Sequence, residues 1–316
     1  MDYASWLATR PVRWEEGAMR AVLSLASQPQ QRHVTQPHEK HQRPTLTEEG
    51  TRGRVQDEEP SAAAVESSTH TPRIHVLRLT DSAAMPLLNR ANAAMGKAIT
   101  PEGVAVNRVT VGSCPHYVMF DAETVVRGDT RLKVAPPLRD APNRRRLWAA
   151  LLDGSVAMLA SDHTPATLEE RAGSFFDAFT GISGLQFTLP ATWTEGREHG
   201  ATLRNLSTWL SEEPAKLSGI WTQKGSIEEG KDADLVVWRP ESRTDTAAVF
   251  HRQPGSPYED LSLYGRVMET VLRGRVVFRD GSPPLSTCGA PILRAEGSRA
   301  QHETDGGGVG GAGPGA

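Results

Sequence analysis

Apolar positions along the chain fall into short runs, and their spacing changes character between the two ends. Behind Pro11, the residues Trp14, Ala18, Val22 and Leu25 recur at helical spacing and predict one amphipathic helix. Residues 74–79 read as a short strand, 82–95 as a helix with Leu87, Leu88 and Ala91 on one side, and 95–107 as a loop. A strand through Val109 and Val111 follows, ending at His116. Residues 143–152 read as a helix stopped by Gly154, and 156–160 as a strand ending at Asp162. This alternation predicts an α/β unit around a mainly parallel sheet. Residues 203–210 and 214–219 read as helices. The grammar then changes: 234–238 is a strand, and 269–278, two apolar runs about Arg273-Gly274-Arg275, is a hairpin. A small β unit beside the α/β body is expected.

Between residues 28 and 72 the only larger aliphatics are Val34, Leu46, Val55 and Val65, amid Gln, Glu, His, Pro, Ser and Thr. Such a stretch cannot bury enough surface to offset its ordering entropy and predicts a disordered insertion. Its histidines, His33, His38, His41 and His70, are irregularly spaced and read as solvated. The Gly-rich tail, 295–316, reads as disordered.

Across 316 residues the net charge is −3, so nothing points to a nucleic acid or an anionic membrane surface. No apolar run approaches the roughly 20 residues of a membrane span, and the first ten residues do not read as a signal peptide. Two cysteines, Cys114 and Cys288, make no disulfide framework and suit a reducing compartment. A soluble, intracellular, cytoplasmic protein is expected.

Two polar sets directly follow apolar runs: Cys114-Pro115-His116-Tyr117 and Ser161-Asp162-His163-Thr164-Pro165. At the C-terminal ends of parallel strands, a neutral imidazole and a carboxylate are suitable donors for a divalent metal. From the residues alone, His116 reads equally as a structural histidine, and Asp162-His163 as a turn or helix cap. Cys114 reads as a nucleophile or, more ordinarily, as a small buried packer.

These two sets also belong to an ordered series. Val111-Gly112-Ser113-Cys114-Pro115-His116-Tyr117 is followed by Lys133-Val134-Ala135-Pro136-Pro137-Leu138-Arg139-Asp140, then Ser161-Asp162-His163-Thr164-Pro165. Next come Gly181-Ile182-Ser183-Gly184, Leu189-Pro190-Ala191-Thr192-Trp193, Glu213-Pro214-Ala215-Lys216-Leu217 and Gly230-Lys231-Asp232-Ala233-Asp234. In that order they resemble the cyclic amidohydrolases, and within them the allantoinase branch more than dihydroorotases or hydantoinases. The resemblance covers residues 2–26 and 73–293. It implies a (β/α)₈ barrel with a small β-sandwich, two divalent metals, usually zinc, bridged by a carboxylated lysine, and a metal-activated hydroxide that opens a cyclic amide. It implies Asp162 as metal ligand and catalytic base, His116 as metal ligand, and Arg139 and Ser183 as substrate-binding residues. The substrate implied is a small ureide, allantoin opened to allantoate in purine breakdown.

The family pattern also has a His-x-His pair on an early strand and a bridging lysine on a later one, and this chain starts after both. Arg78 stands where the pattern has a third ligand histidine; a guanidinium has no free lone pair and stays charged. His75 lies three residues away, on the other face of the same strand. The resemblance therefore implies a partial barrel: a helix preceding its fifth strand in residues 1–27, its second half in 73–222, and a sandwich remnant in 223–294. It further implies that both zinc ions are not retained. The alternative to an allantoinase-like enzyme is an inactive homologue that acts by binding, as a homo-oligomer or paired with a complete homologue.

Overall fold

The computed structural model describes residues 2–26, 73–100, 103–282 and 289–292. The expected insertion at 28–72, its four histidines, Cys288 and the tail at 295–316 lie outside the described residues.

Two helices open the chain. α1 (Tyr3–Ala8) is capped by Asp2, whose carboxylate accepts from the Ser5 N–H. α2 (Val12–Ala26) is the predicted amphipathic helix, but it is turned the other way. Met19 and Leu23 are buried, whereas Trp14, Ala18, Val22 and Leu25 face outward, Trp14 being 62% exposed. The reason is Glu15, which shares the i, i+4, i+8 face with Met19 and Leu23. Its carboxylate accepts from the Thr80 N–H (2.9 Å) and Thr80 Oγ1 (2.6 Å) and pairs with Arg139. A buried ionic anchor outranks the wider apolar stripe.

The α/β unit is built on three parallel strands. β1 (Ile74–Val76) pairs with β4 (Val109–Ser113), His75 lying opposite Thr110, and β4 pairs with β5 (Met158–Leu159). Between β1 and β4 run α3 (Met85–Met95) and a small hairpin, β2 (Lys97–Ile99) with β3 (Ala105–Asn107), where the sequence reads as a loop. Each hairpin strand buries only its central residue, Ala98 or Val106, which is too short an alternation to register in the sequence. α4 (Pro115–Met119) follows β4 directly, and α5 (Ala141–Leu152) is capped by Asp140 and packs Leu147, Trp148 and Leu151 into the core. Past β5 and the short α6 (Leu168–Arg171), a further parallel bridge pairs His163 with Ile182.

α7 (Thr188–Glu198), α8 (Leu203–Ser207) and α9 (Glu213–Ser218) lead to the second unit. A π-helical turn, Thr208–Glu212, joins α8 to α9 just ahead of Pro214, whose ring cannot sit beneath the carbonyl four residues back. The second unit is an antiparallel sheet of β6 (Leu235–Arg243), β7 (Tyr264–Leu272) and β8 (Arg275–Arg279) in that order. The predicted hairpin turn is present: Arg273 and Gly274 both have positive φ, +48° and +77°, as a two-residue turn matched to strand twist requires. α7 fastens the two units. Trp193 donates to the Pro240 carbonyl and meets the Trp238 ring edge-on, and Thr194 Oγ1 accepts from the Tyr264 N–H.

Candidate metal centre at the strand ends

The predicted strand through Val111 stops at Ser113, three residues short of His116. Pro115 has no N–H for the ladder and a fixed φ suited to a helix start, so His116 stands in the first turn of α4. Cys114 and His116 thus rise from the end of β4. Asp162 rises from the end of β5, where the Ala160 N–H still donates to the Ser113 carbonyl. Its φ is +46°, a left-handed conformation that few residues other than glycine adopt and that Asp tolerates best among charged ones.

These neighbouring ends bring three donors together. Sγ of Cys114, a ring nitrogen of His116 and a carboxylate oxygen of Asp162 all lie within 4.8 Å of one another. His116 is fully buried, and neither ring nitrogen has a hydrogen-bond partner. Burial, reinforced by the Arg78 charge, pulls its pKa from 6.5 down to about 3, so the imidazole is neutral and keeps a lone pair. Burial and the Asp162 charge push the Cys114 thiol far up, so it is protonated.

The fourth member is a cation already in place. Arg78 Nη1 donates to both Asp162 oxygens, at 3.0 and 3.2 Å. Burial works against the guanidinium charge, but the bond to Asp162 and its negative charge outweigh that and raise its pKa. Three donors, with a guanidinium on the only carboxylate among them, do not fit a two-metal centre. The sequence reading counts two retained donors; the third is Cys114, whose signal is the Cys-Pro-His spacing with proline forcing a turn between the two side chains.

The remaining sequence candidates separate. His75 is on the neighbouring strand, its Nδ1 2.9 Å from Thr110 Oγ1 and its ring tight against Gly112, where a Cβ would approach Nε2 to 3.2 Å. Ser183 is buried beside the Asp162 segment: the Thr164 N–H donates to the Ile182 carbonyl, and the Ser183 Oγ has no partner. Arg139 is drawn elsewhere. Its guanidinium donates to the Arg10 carbonyl (2.8 Å) and to Glu15 (3.4 Å), which ties α2 to the loop before α5. A cavity of about 890 Å³ lies between α7–α9 and the antiparallel sheet, lined by Leu189, Leu210, Pro214, Val236 and Phe278 and by none of the three donors.

A model of the amidohydrolase family matches residues 92–277. Over 297 residues the chain is 37% identical to an allantoinase of Arabidopsis thaliana, which covers 92% of this chain and 50% of that protein. Over 233 residues it is 41% identical to an allantoinase of Streptomyces avermitilis, covering 72% of this chain and 50% of that protein. Among solved structures it resembles an L-hydantoinase (dihydropyrimidinase) from Arthrobacter aurescens, with a TM-score of 0.57, 30% identity, and coverage of 68% of this chain and 46% of that one. The chain spans about half the length of the curated relatives it matches. No helix among the described residues is long and apolar enough to cross a membrane. A match running from α3, through the strand ends that carry Cys114, His116 and Asp162, to the last hairpin places this chain in the amidohydrolase family.

Proposed function

We propose that the chain carries the strand-end half-site of an allantoinase-like cyclic amide hydrolase. Its reaction would open the hydantoin ring of allantoin to allantoate, by cleavage of a ring C–N bond in purine (ureide) breakdown. The observation that carries this reading is the convergence of Asp162, in a left-handed backbone at one strand end, with a buried, unpartnered His116 at the next. Asp162 would take the proton of the attacking water and return it to the leaving ring nitrogen. Ser183, with its unpartnered hydroxyl, is the substrate-side candidate. Arg139, also expected there, has its guanidinium engaged by Glu15 and Arg10. The parallel strands would be consecutive strands of a (β/α)₈ barrel over residues 73–222, and the antiparallel sheet part of a small sandwich over 223–294. The reading places the protein in the cytoplasm.

The Arg78–Asp162 pair supports a second reading, a catalytically silent homologue that acts through a partner: a second copy, or a complete relative. Assay of the full chain on allantoin with added Zn²⁺ or Mn²⁺, beside Asp162→Asn, separates the two. Turnover that falls on the order of a hundredfold or more in Asp162→Asn supports the hydrolase. Absence of turnover at every metal concentration removes the hydrolase and leaves the silent homologue.

A further inference from the structure

We infer that the connection between β6 and β7 is a positioning element for the substrate-side segment of the site, acting through Ser256 and Tyr258 on residues 181–187. That segment carries Ser183, whose buried hydroxyl has no partner among the described residues. One side of it runs along the Asp162 motif. The Thr164 N–H donates to the Ile182 carbonyl at 2.9 Å, and the Leu185 N–H donates to His163 Nδ1 at 3.3 Å. Its other side is held from the antiparallel unit.

Ser256 makes the central contact. It is fully buried, and its Oγ donates to the Ser183 carbonyl at 2.6 Å. A local turn holds it in place: the Glu259 carboxylate accepts from the Gly255 and Ser256 N–H groups (3.2 and 3.0 Å), and the Glu259 N–H donates to the Ser256 carbonyl. Tyr258, also fully buried, supplies a floor. Its ring stacks on Phe187 and tilts against Phe120, each with a centroid separation of 5.3 Å. Gly184 fits in between, since a Cβ there would lie 3.3 Å from the Ser161 carbonyl oxygen and 3.5 Å from the Tyr258 ring. At the surface Gln186 and Phe250 exchange two bonds, Nε2 donating to the Phe250 carbonyl and Oε1 accepting from the Phe250 N–H. The segment is thus fixed at its backbone and through Gln186, while the Ser183 hydroxyl stays free to bond a ligand. A reacting ligand tolerates little displacement of such a group: a shift of about 1 Å can cost on the order of a hundredfold. The ligand is the cyclic ureide of the hydrolase reading above, on which the assignment rests, and turnover is not required.

The test is allantoin binding to the full chain by calorimetry, run as a double-mutant cycle with Ser183→Ala, beside amide hydrogen exchange over residues 181–187. Near-UV circular dichroism confirms the native fold of each variant. Ser256→Ala is expected to weaken allantoin binding on the order of tenfold and to raise exchange in 181–187, while β4 and α5 keep theirs. Ser256→Thr, which keeps the donor, should restore both. On the Ser183→Ala background Ser256→Ala should weaken binding no further, because the two residues act through one contact. A serine that serves stability alone would leave the two losses additive. Should Ser256→Ala not fold, Gln186→Ala, at an exposed position, is read by the same criteria. The proposal is overturned if the folded variant binds allantoin as tightly as the unmutated chain, or if the two losses add. An unmutated chain that binds no allantoin would remove the hydrolase reading, and exchange then decides. A rise confined to 181–187 supports the positioning role, whereas no rise, or one spread over the whole chain, overturns it.

Discussion

At the scale of single residues, the site is defined by two charges and an orphan. Asp162 and Arg78 satisfy each other, and His116 is fully buried with neither ring nitrogen bonded. This has a consequence in pH. With its pKa held at about 3, against about 6.5 in an unfolded chain, His116 stays unprotonated in the fold where the unfolded chain binds a proton. Its contribution to stability is therefore complete above pH 6.5 and is lost as pH falls from there toward 3, by about 1.4 kcal/mol per pH unit. Urea unfolding at pH 6, 5 and 4 should show that slope, and His116→Gln should flatten it by one proton's worth; parallel slopes for the two proteins would contradict the burial. The candidate donors are legible in the sequence because each strand-end motif holds a polar set after an apolar run. The Arg78–Asp162 bond is not: the two residues are 84 apart, and only the pairing of β1, β4 and β5 brings them together.

At the scale of elements, buried charges fix how the pieces meet. Glu15 turns α2 and ties it to Thr80 and Arg139. Glu15→Ala should unpair a buried guanidinium and cost about 3 kcal/mol or more, read as a lowered urea midpoint, whereas Trp14→Ala on the exposed face should change stability little. Lys133 does similar work for the segment before Ile182. It is buried, its ammonium donates to the Phe176 and Ala178 carbonyls at 2.7 and 2.5 Å, and it lies over the Trp6 ring. Lys133→Met should lower stability by about 2 kcal/mol, the loss of two charge-assisted bonds partly offset by an easier desolvation, checked by thermal melting. Element type reads well from the sequence where periodicity runs long, as in α5. It fails where a local rule is overridden: at Pro115, which ends the strand early, at 97–107, where the strands are three residues long, and on α2, whose orientation follows an ion pair that periodicity does not encode.

At the scale of the whole molecule, the α/β unit and the antiparallel sheet are joined through α7, and between them the chain presents an apolar groove. Val236, half exposed, lines it together with Phe250 and Leu203, which are exposed by 46% and 52%. The folded chain should bind a hydrophobic dye such as anilinonaphthalene sulfonate there, and Val236→Glu should reduce the signal without moving the melting temperature. The groove and the strand-end cluster are separate features, so a change at one should leave the other intact. The molecule belongs to the amidohydrolase family, and at its strand ends its own chain supplies a cation to Asp162. The most direct measurement is the metal content of the purified, monodisperse full chain, by elemental analysis. The account predicts well under one zinc per chain. About two zinc ions in the unmutated chain would contradict it.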